Sequence, residues 1–162
     1  MNLIRNFRIG LVLAVLAFCV TGSASPAPMS KFDDISKFDE FGDIKCEDEM
    51  ARLDNFAVHL QGGPGSKGVI IFYGGRRFRG RLPKRGEAAA RASRTKTYLV
   101  QRRGIPADQV IVIDGGYAEE WHVEVWVVPP GATMPTPKPT VPAGEIKFRK
   151  GKPNPSDYEC GV

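Results

Sequence analysis

Apolar residues along this chain change their period several times, and each change marks an element. From Glu47 to Gln61, Met50, Leu53, Ala57 and Leu60 recur at spacings of three, four and three, which places them on one face of a helix. Glu47, Asp48 and Glu49 fall in its first turn, where negative charge suits the helix dipole. Gly62-Gly63-Pro64-Gly65 must end it. Val69 to Tyr73 is an unbroken apolar run between Gly68 and Gly74, which predicts a strand covered on both faces. Gly86 to Arg103 returns to helical spacing, with Ala88, Ala92, Thr95 and Leu99 as the inner stripe and Gly104-Ile105-Pro106 as the stop.

A second short apolar strand follows at Val110 to Ile113, and Gly115-Gly116 predicts a turn. The last strand alternates, with Trp121, Val123, Val125 and Val127 on one side and His122, Glu124 and Trp126 on the other. Such a strand belongs near a sheet edge or over an open face. A helix between Val69–Tyr73 and Val110–Ile113 predicts a parallel pair, and the tight turn predicts an antiparallel final strand. The acidic stretch Lys31 to Lys45 supplies an edge strand or an ordered coil around Phe38 to Ile44. The expected fold is α/β (α+β), a two-layer sandwich of order β-α-β-α-β-β, with a mixed sheet and two helices packed on one face.

The ends read differently. Met1 to Ala24 has a positive start (Arg5, Arg8), an apolar core from Ile9 to Val20, and the small residues Gly22, Ser23 and Ala24. These are the three regions of a secretory signal peptide, and the apolar run is shorter than the roughly 20 residues of a spanning helix. Export to the periplasm or beyond is expected, with residues 25–45 as leader and edge strand and 46–130 as the folded domain. Residues 131–162 open with a Pro/Thr-rich stretch whose composition predicts an extended, hydrated linker, followed by a short basic tail. In an oxidising compartment Cys46 and Cys160 are expected to form a disulfide.

Charge changes the picture through its distribution. Net charge is +5, and loss of Arg5 and Arg8 leaves a mildly basic chain of +3. From Lys31 to Asp54 there are nine acids and four bases; from Arg76 to Arg103 there are eleven bases and the single acid Glu87. This asymmetry predicts either a charged binding face or two solvated faces that attract each other within the fold. Arg76, Arg77, Arg79, Arg81, Lys84 and Arg85 stand between a strand and a helix, with Gly74, Gly75 and Gly80 allowing close backbone approach. That arrangement suits a phosphate or carboxylate group, and equally a solvated loop facing the acidic segment.

No nucleotide-binding glycine motif, no serine-nucleophile motif and no Cys/His metal spacing occurs. His59 is expected as a polar position on the first helix and His122 as a solvent-facing strand residue. The reading is non-enzymatic, without cofactor or metal and without nucleic acid as partner. Trp126 is expected as a partner contact or as a residue covered by the tail.

With these elements placed, Arg52 to Val128 resembles the OmpA-like domain of bacterial envelope proteins. The resemblance is carried by Leu53-Asp54-Asn55-Phe56-Ala57, the strand entering Gly74-Gly75, Arg91-Ala92 with Tyr98-Leu99, Gly104-Ile105-Pro106, Asp114 to Glu119, and the valine-rich last strand. It implies noncovalent peptidoglycan binding, in which an aspartate and an arginine grip the amino-acid end of a diaminopimelate side chain. The arginine matches Arg91. The aspartate's place falls on Arg76 or Arg77, and no acid occurs between Tyr73 and Gly86. A cation there repels an ammonium 4 Å away by about 1 kcal/mol in water and by several at lower effective dielectric. Arg76, Arg77, Arg79 and Arg91 are therefore the candidate ligand-binding residues, for peptidoglycan or another anionic envelope component. The alternative is a structural or protein-interaction domain, with an envelope protein as its partner, that has lost peptidoglycan binding.

Overall fold

The computed structural model describes residues 35–154 and Tyr158. The expected signal peptide and Cys160 lie outside the described residues. The elements, in order, are β1 (Ser36–Phe41), α1 (Cys46–Gly62), β2 (Lys67–Arg77), α2 (Glu87–Thr97), β3 (Val110–Glu120) and β4 (His122–Val128). Tyr98–Arg102 prolongs α2 as a π-helical turn, and Ala143–Glu145 forms a 3-10 turn. The strands make one mixed sheet in the order β1-β4-β2-β3. β2 runs parallel to β3 and antiparallel to β4, which also pairs antiparallel with β1. The fold is the expected α+β two-layer sandwich. Among the described residues no helix is long and apolar enough to cross a membrane.

Both helices share one core with one face of the sheet. Leu53, Phe56, Ala57 and Leu60 of α1, together with Ala92 and Leu99, pack against Ile70, Phe72, Val123, Val125 and Val127. Leu53, Ala57 and Leu60 of the predicted α1 stripe and Ala92, Thr95 and Leu99 of the α2 stripe are buried, with Phe56 added as a fully buried member of α1, whereas Met50 is only half-buried and stands outside the core cluster. Every position of β2 from Gly68 to Gly75 is buried, as an unbroken apolar run between two neighbouring strands requires. Glu87 opens α2 with its carboxylate accepting the Lys84 backbone N–H at 2.6 Å, a side-chain bond at the helix start.

Two expectations give way. The glycine pair predicted as a turn is a bulge inside β3: Phe72 pairs with Asp114 and Gly74 with Tyr117, and the strand runs on to Glu120. Gly116 takes φ +81°, and the Asp114 carboxylate accepts its N–H at 2.9 Å, so glycine bends the strand without ending it. The chain then passes from β3 to β4 through Trp121 alone and crosses close to Gly75. A Cβ at Gly75 would stand 2.4 Å from the Trp121 backbone nitrogen, so this crossing requires glycine. The alternating strand, β4, consequently lies inside the sheet and β1 takes the edge.

The second correction concerns the Pro/Thr-rich stretch. It is extended, as its composition demands, but it is packed across the other sheet face instead of being hydrated along its length. Val69, Ile71, Tyr73, Ala118 and Val128 form a second cluster there, against which Trp126, Ala132 and Met134 rest. The Tyr117 carbonyl accepts both the Thr140 and Val141 backbone N–H groups, and the Tyr73 hydroxyl accepts that of Lys138 at 3.1 Å. Val141 and Ile146 are buried. Trp126 is half-buried against the same cluster, with Lys37 Nζ 5.5 Å from its ring centroid, and His122 stacks on Tyr73 at 4.4 Å while staying partly exposed. His59 is an exposed position on α1, as expected.

Candidate functional site

The site forms where β2 runs out of neighbours and the chain turns towards α2. Phe78 and Arg81 exchange backbone hydrogen bonds of 2.8 and 3.0 Å around Arg79 and Gly80, whose φ angles are +49° and +73°. Two consecutive positive φ values give the tight primed turn that follows a twisted strand. Arg79 is the only non-glycine residue at positive φ among the described residues. Below this turn lies a cleft of about 510 Å³, lined by Asp43, Arg76, Arg77, Phe78, Arg79, Gly80, Glu119, Glu120 and Trp121.

Three of the four predicted arginines line that cleft, yet their charges are largely matched from within. Arg76 donates through Nε to Glu119 at 2.9 Å and through Nη2 to Glu145 at 2.5 Å. Arg77 donates to the Gly80 carbonyl at 3.1 Å. Arg79 pairs with Asp43 at 3.1 Å. The fourth, Arg91, is set apart by its burial at 5% exposure. Its guanidinium carbon lies against two rings, 4.0 Å from the centroid of Phe78 and 3.7 Å from that of Trp121.

Arg91 is buried but incompletely paired. Its Nη2 stands 3.6 Å from Asp43 Oδ1, an ion pair longer than a hydrogen bond. Its Nη1 has no hydrogen-bond partner, and the same holds for the buried Trp121 Nε1. Burial pulls the Arg91 pKa down to about 10 against the opposing pull of Asp43 and Glu49, so the group remains a cation at neutral pH.

Sequence reasoning missed the aspartate beside this arginine. Asp43 comes from the loop between β1 and α1, far from Arg91 in the chain, and no local motif joins them. The available signal was the acid-to-base asymmetry, because the acidic segment does fold onto the basic one: Asp43 meets Arg79 and Arg91, Glu49 meets Arg94, and Asp54 meets Arg103. Phe78 and Trp121, which wall the guanidinium, are likewise joined only by the fold.

Elsewhere, Glu40, His122 and Glu124 bring their ligand atoms within 4.8 Å of one another, a set able to hold a metal ion. Lys37 Nζ lies 2.7 Å from both carboxylates and supplies the positive charge that such an ion would bring. No family model and no curated protein sequence matches this chain.

Proposed function

We propose that this chain is a non-enzymatic binding module of the bacterial cell envelope, exported and similar to OmpA-like domains, which contacts peptidoglycan or another anionic wall component through Arg91 and the arginine loop. The observation that carries this reading is the pairing of Arg91 with Asp43. A buried guanidinium with an unmatched Nη1 stands next to a half-exposed carboxylate. A guanidinium fork suits a carboxylate and a carboxylate suits an ammonium, so the two together suit the zwitterionic end of an amino-acid side chain. Asp43 thus offers, from a different loop, the acid that the resemblance lacks at Arg76 and Arg77. The order of strands and helices agrees with the same resemblance.

The test is co-sedimentation of the protein with purified peptidoglycan sacculi at low and high salt, with Arg91→Ala alongside and circular dichroism to verify its fold. Salt-resistant pelleting that is lost in Arg91→Ala is expected. Pelleting by the parent that vanishes at high salt would assign the attraction to the arginine loop's charge alone.

A specific observation favours the second reading, a protein-interaction domain that has lost wall binding: Phe78 covers Arg91, and Arg76 and Arg79 are already matched by carboxylates. Absence of pelleting at either salt, with a stoichiometric envelope protein recovered on the domain, would establish it. A Cys46–Cys160 disulfide belongs to the same exported reading, and intact-mass measurement showing two free thiols would refute it.

A further inference from the structure

We infer that Trp121 is a ligand-binding residue whose indole N–H acts together with Arg91 Nη1–H on a single oxyanionic group, a carboxylate or a phosphate. This rests on the binding reading above and adds a second donor to it. Arg91 and Trp121 are each 5% exposed, and each carries a buried donor without an acceptor. Buried donors in folded proteins are nearly always satisfied, and each one left unmatched works against folding. Two of them on one stacked pair call for an oxygen-bearing group that the chain itself does not supply.

Position narrows what that group is. The guanidinium carbon stands 3.7 Å from the centroid of the Trp121 ring, so the guanidinium lies over the ring and the two donors share one neighbourhood. A group with two or three acceptor oxygens can accept from both donors. The charge on Arg91 selects an anion over a neutral carbonyl. Asp43 lies against Nη2, which leaves the Nη1 side for the ligand.

The way in is set by the turn above. Trp121 and Phe78 both line the cleft, and the Phe78 ring stands 4.0 Å from the guanidinium carbon. Phe78 belongs to the turn that holds Arg79 at φ +49°, a conformation uncommon for a residue with a side chain, and Asp43 holds that turn through Arg79. Displacing the turn uncovers Arg91.

Trp121→Phe deletes the N–H and keeps an aromatic ring against Arg91. Calorimetric titration of the protein with soluble peptidoglycan fragments, with acetate and with inorganic phosphate separates a wall carboxylate from a free carboxylate or phosphate. Trp121→Phe is expected to weaken each probe that binds by about ten-fold, the lower end for a hydrogen bond to a charged group. Its urea midpoint should hold or rise, because an unmatched buried donor is gone. Unchanged affinity for every probe overturns the inference.

If acetate or phosphate binds with this dependence and wall fragments do not, the envelope reading fails and the anion receptor stands. Arg79→Gly removes the contact with Asp43 and accepts the positive φ without strain, so it frees the turn while leaving the Arg91 and Trp121 donors in place. If no probe binds even to Arg79→Gly, the receptor does not exist. Should Trp121→Phe fail to fold, the emission of Trp121 alone, in Trp126→Phe, reports contact directly: a shift on adding acetate or phosphate is expected, and its absence overturns the assignment.

Discussion

Arg91 and Arg94 stand one turn apart on α2, and both are withdrawn from solvent, yet their charges are matched in different ways. Arg94 meets Glu49 in an ion pair whose side chains are 14% and 5% exposed. Arg91 has a more distant partner, Asp43, at 3.6 Å and with a side chain 31% exposed. The first arrangement fastens α2 to α1. The second leaves a buried charge with a longer, more exposed ion pair, stacked on Trp121, which lines the cleft.

The largest expected effect separates the two. Glu49→Ala takes away the buried carboxylate that meets Arg94 and should lower stability by about 3–5 kcal/mol. Asp43→Ala removes a longer and more exposed partner and should cost about 1 kcal/mol or less. Urea denaturation of both variants checks this. Equal losses would mean that Arg91 is as structural as Arg94, and the distinction between them would fall.

Methionine at each arginine sharpens the point. Arg94→Met strands Glu49 in the interior and should destabilise by about 3 kcal/mol. Arg91→Met places an apolar stem against Phe78 and Trp121 and should leave stability unchanged or raise it by about 1 kcal/mol, while sacculus pelleting is lost. The pH dependence has a definite sign. Burial holds the Arg91 pKa down at about 10, so from there up to the ordinary arginine range the unfolded chain holds more protons than the folded one. Its unfavourable contribution is therefore complete below about pH 10 and fades as pH rises through that window. Arg91→Met should abolish this rise in a series of alkaline urea titrations.

The contrast also explains what the sequence could convey. β2 was legible because five consecutive apolar residues between glycines leave few alternatives, and the helical stripes because their spacing is set by the residues themselves. The Asp114–Tyr117 bulge was not, since glycine permits a turn and a bulge alike and only pairing with β2 decides. The strap was misread because Met134, Val141 and Ile146 are single apolar residues among prolines, without period, and composition alone favours hydration. Arg91 could be named from its helix position and from a resemblance. Its surroundings could not, because Asp43, Phe78 and Trp121 come from three other segments. The charge asymmetry foretold that acid and base would meet, but not which pair would meet imperfectly.

A smaller effect tests whether the strap belongs with the matched contacts. Tyr73→Phe removes the hydroxyl that accepts the Lys138 backbone N–H, and should cost about 1 kcal/mol. Hydrogen exchange at Lys138 should quicken, with little change at Arg94 on the opposite side of the sheet. An unaltered rate at Lys138 would mean that the apolar contacts of Met134 and Val141 hold the strap without help from this bond.

The smallest effect is expected where both partners of an ion pair reach solvent. Lys37 and Glu124 pair across β1 and β4 at 2.7 Å, with side chains 37% and 14% exposed. Burial pushes the Glu124 carboxyl upward, but the hydrogen bonds from Lys37 and from the Trp126 indole outweigh it, and its pKa lies below the ordinary 4.5. The pair's contribution is thus fully present above about pH 4.5 and is lost as pH falls through the lowered value. On the alkaline side the Lys37 pKa is raised, chiefly by its hydrogen bond to Glu124, so the pair persists below 10.5 and fades as pH climbs past the folded value. Because Lys37 is more than a third exposed, solvent screening holds the whole effect to under about 1 kcal/mol. Glu124→Gln should flatten the acid limb of a stability-against-pH curve by that amount and leave the alkaline rise assigned to Arg91 untouched. A change in the Arg91 limb would mean that charges on the two faces of the sheet are coupled, and that the Arg91 guanidinium is balanced from further away than Asp43.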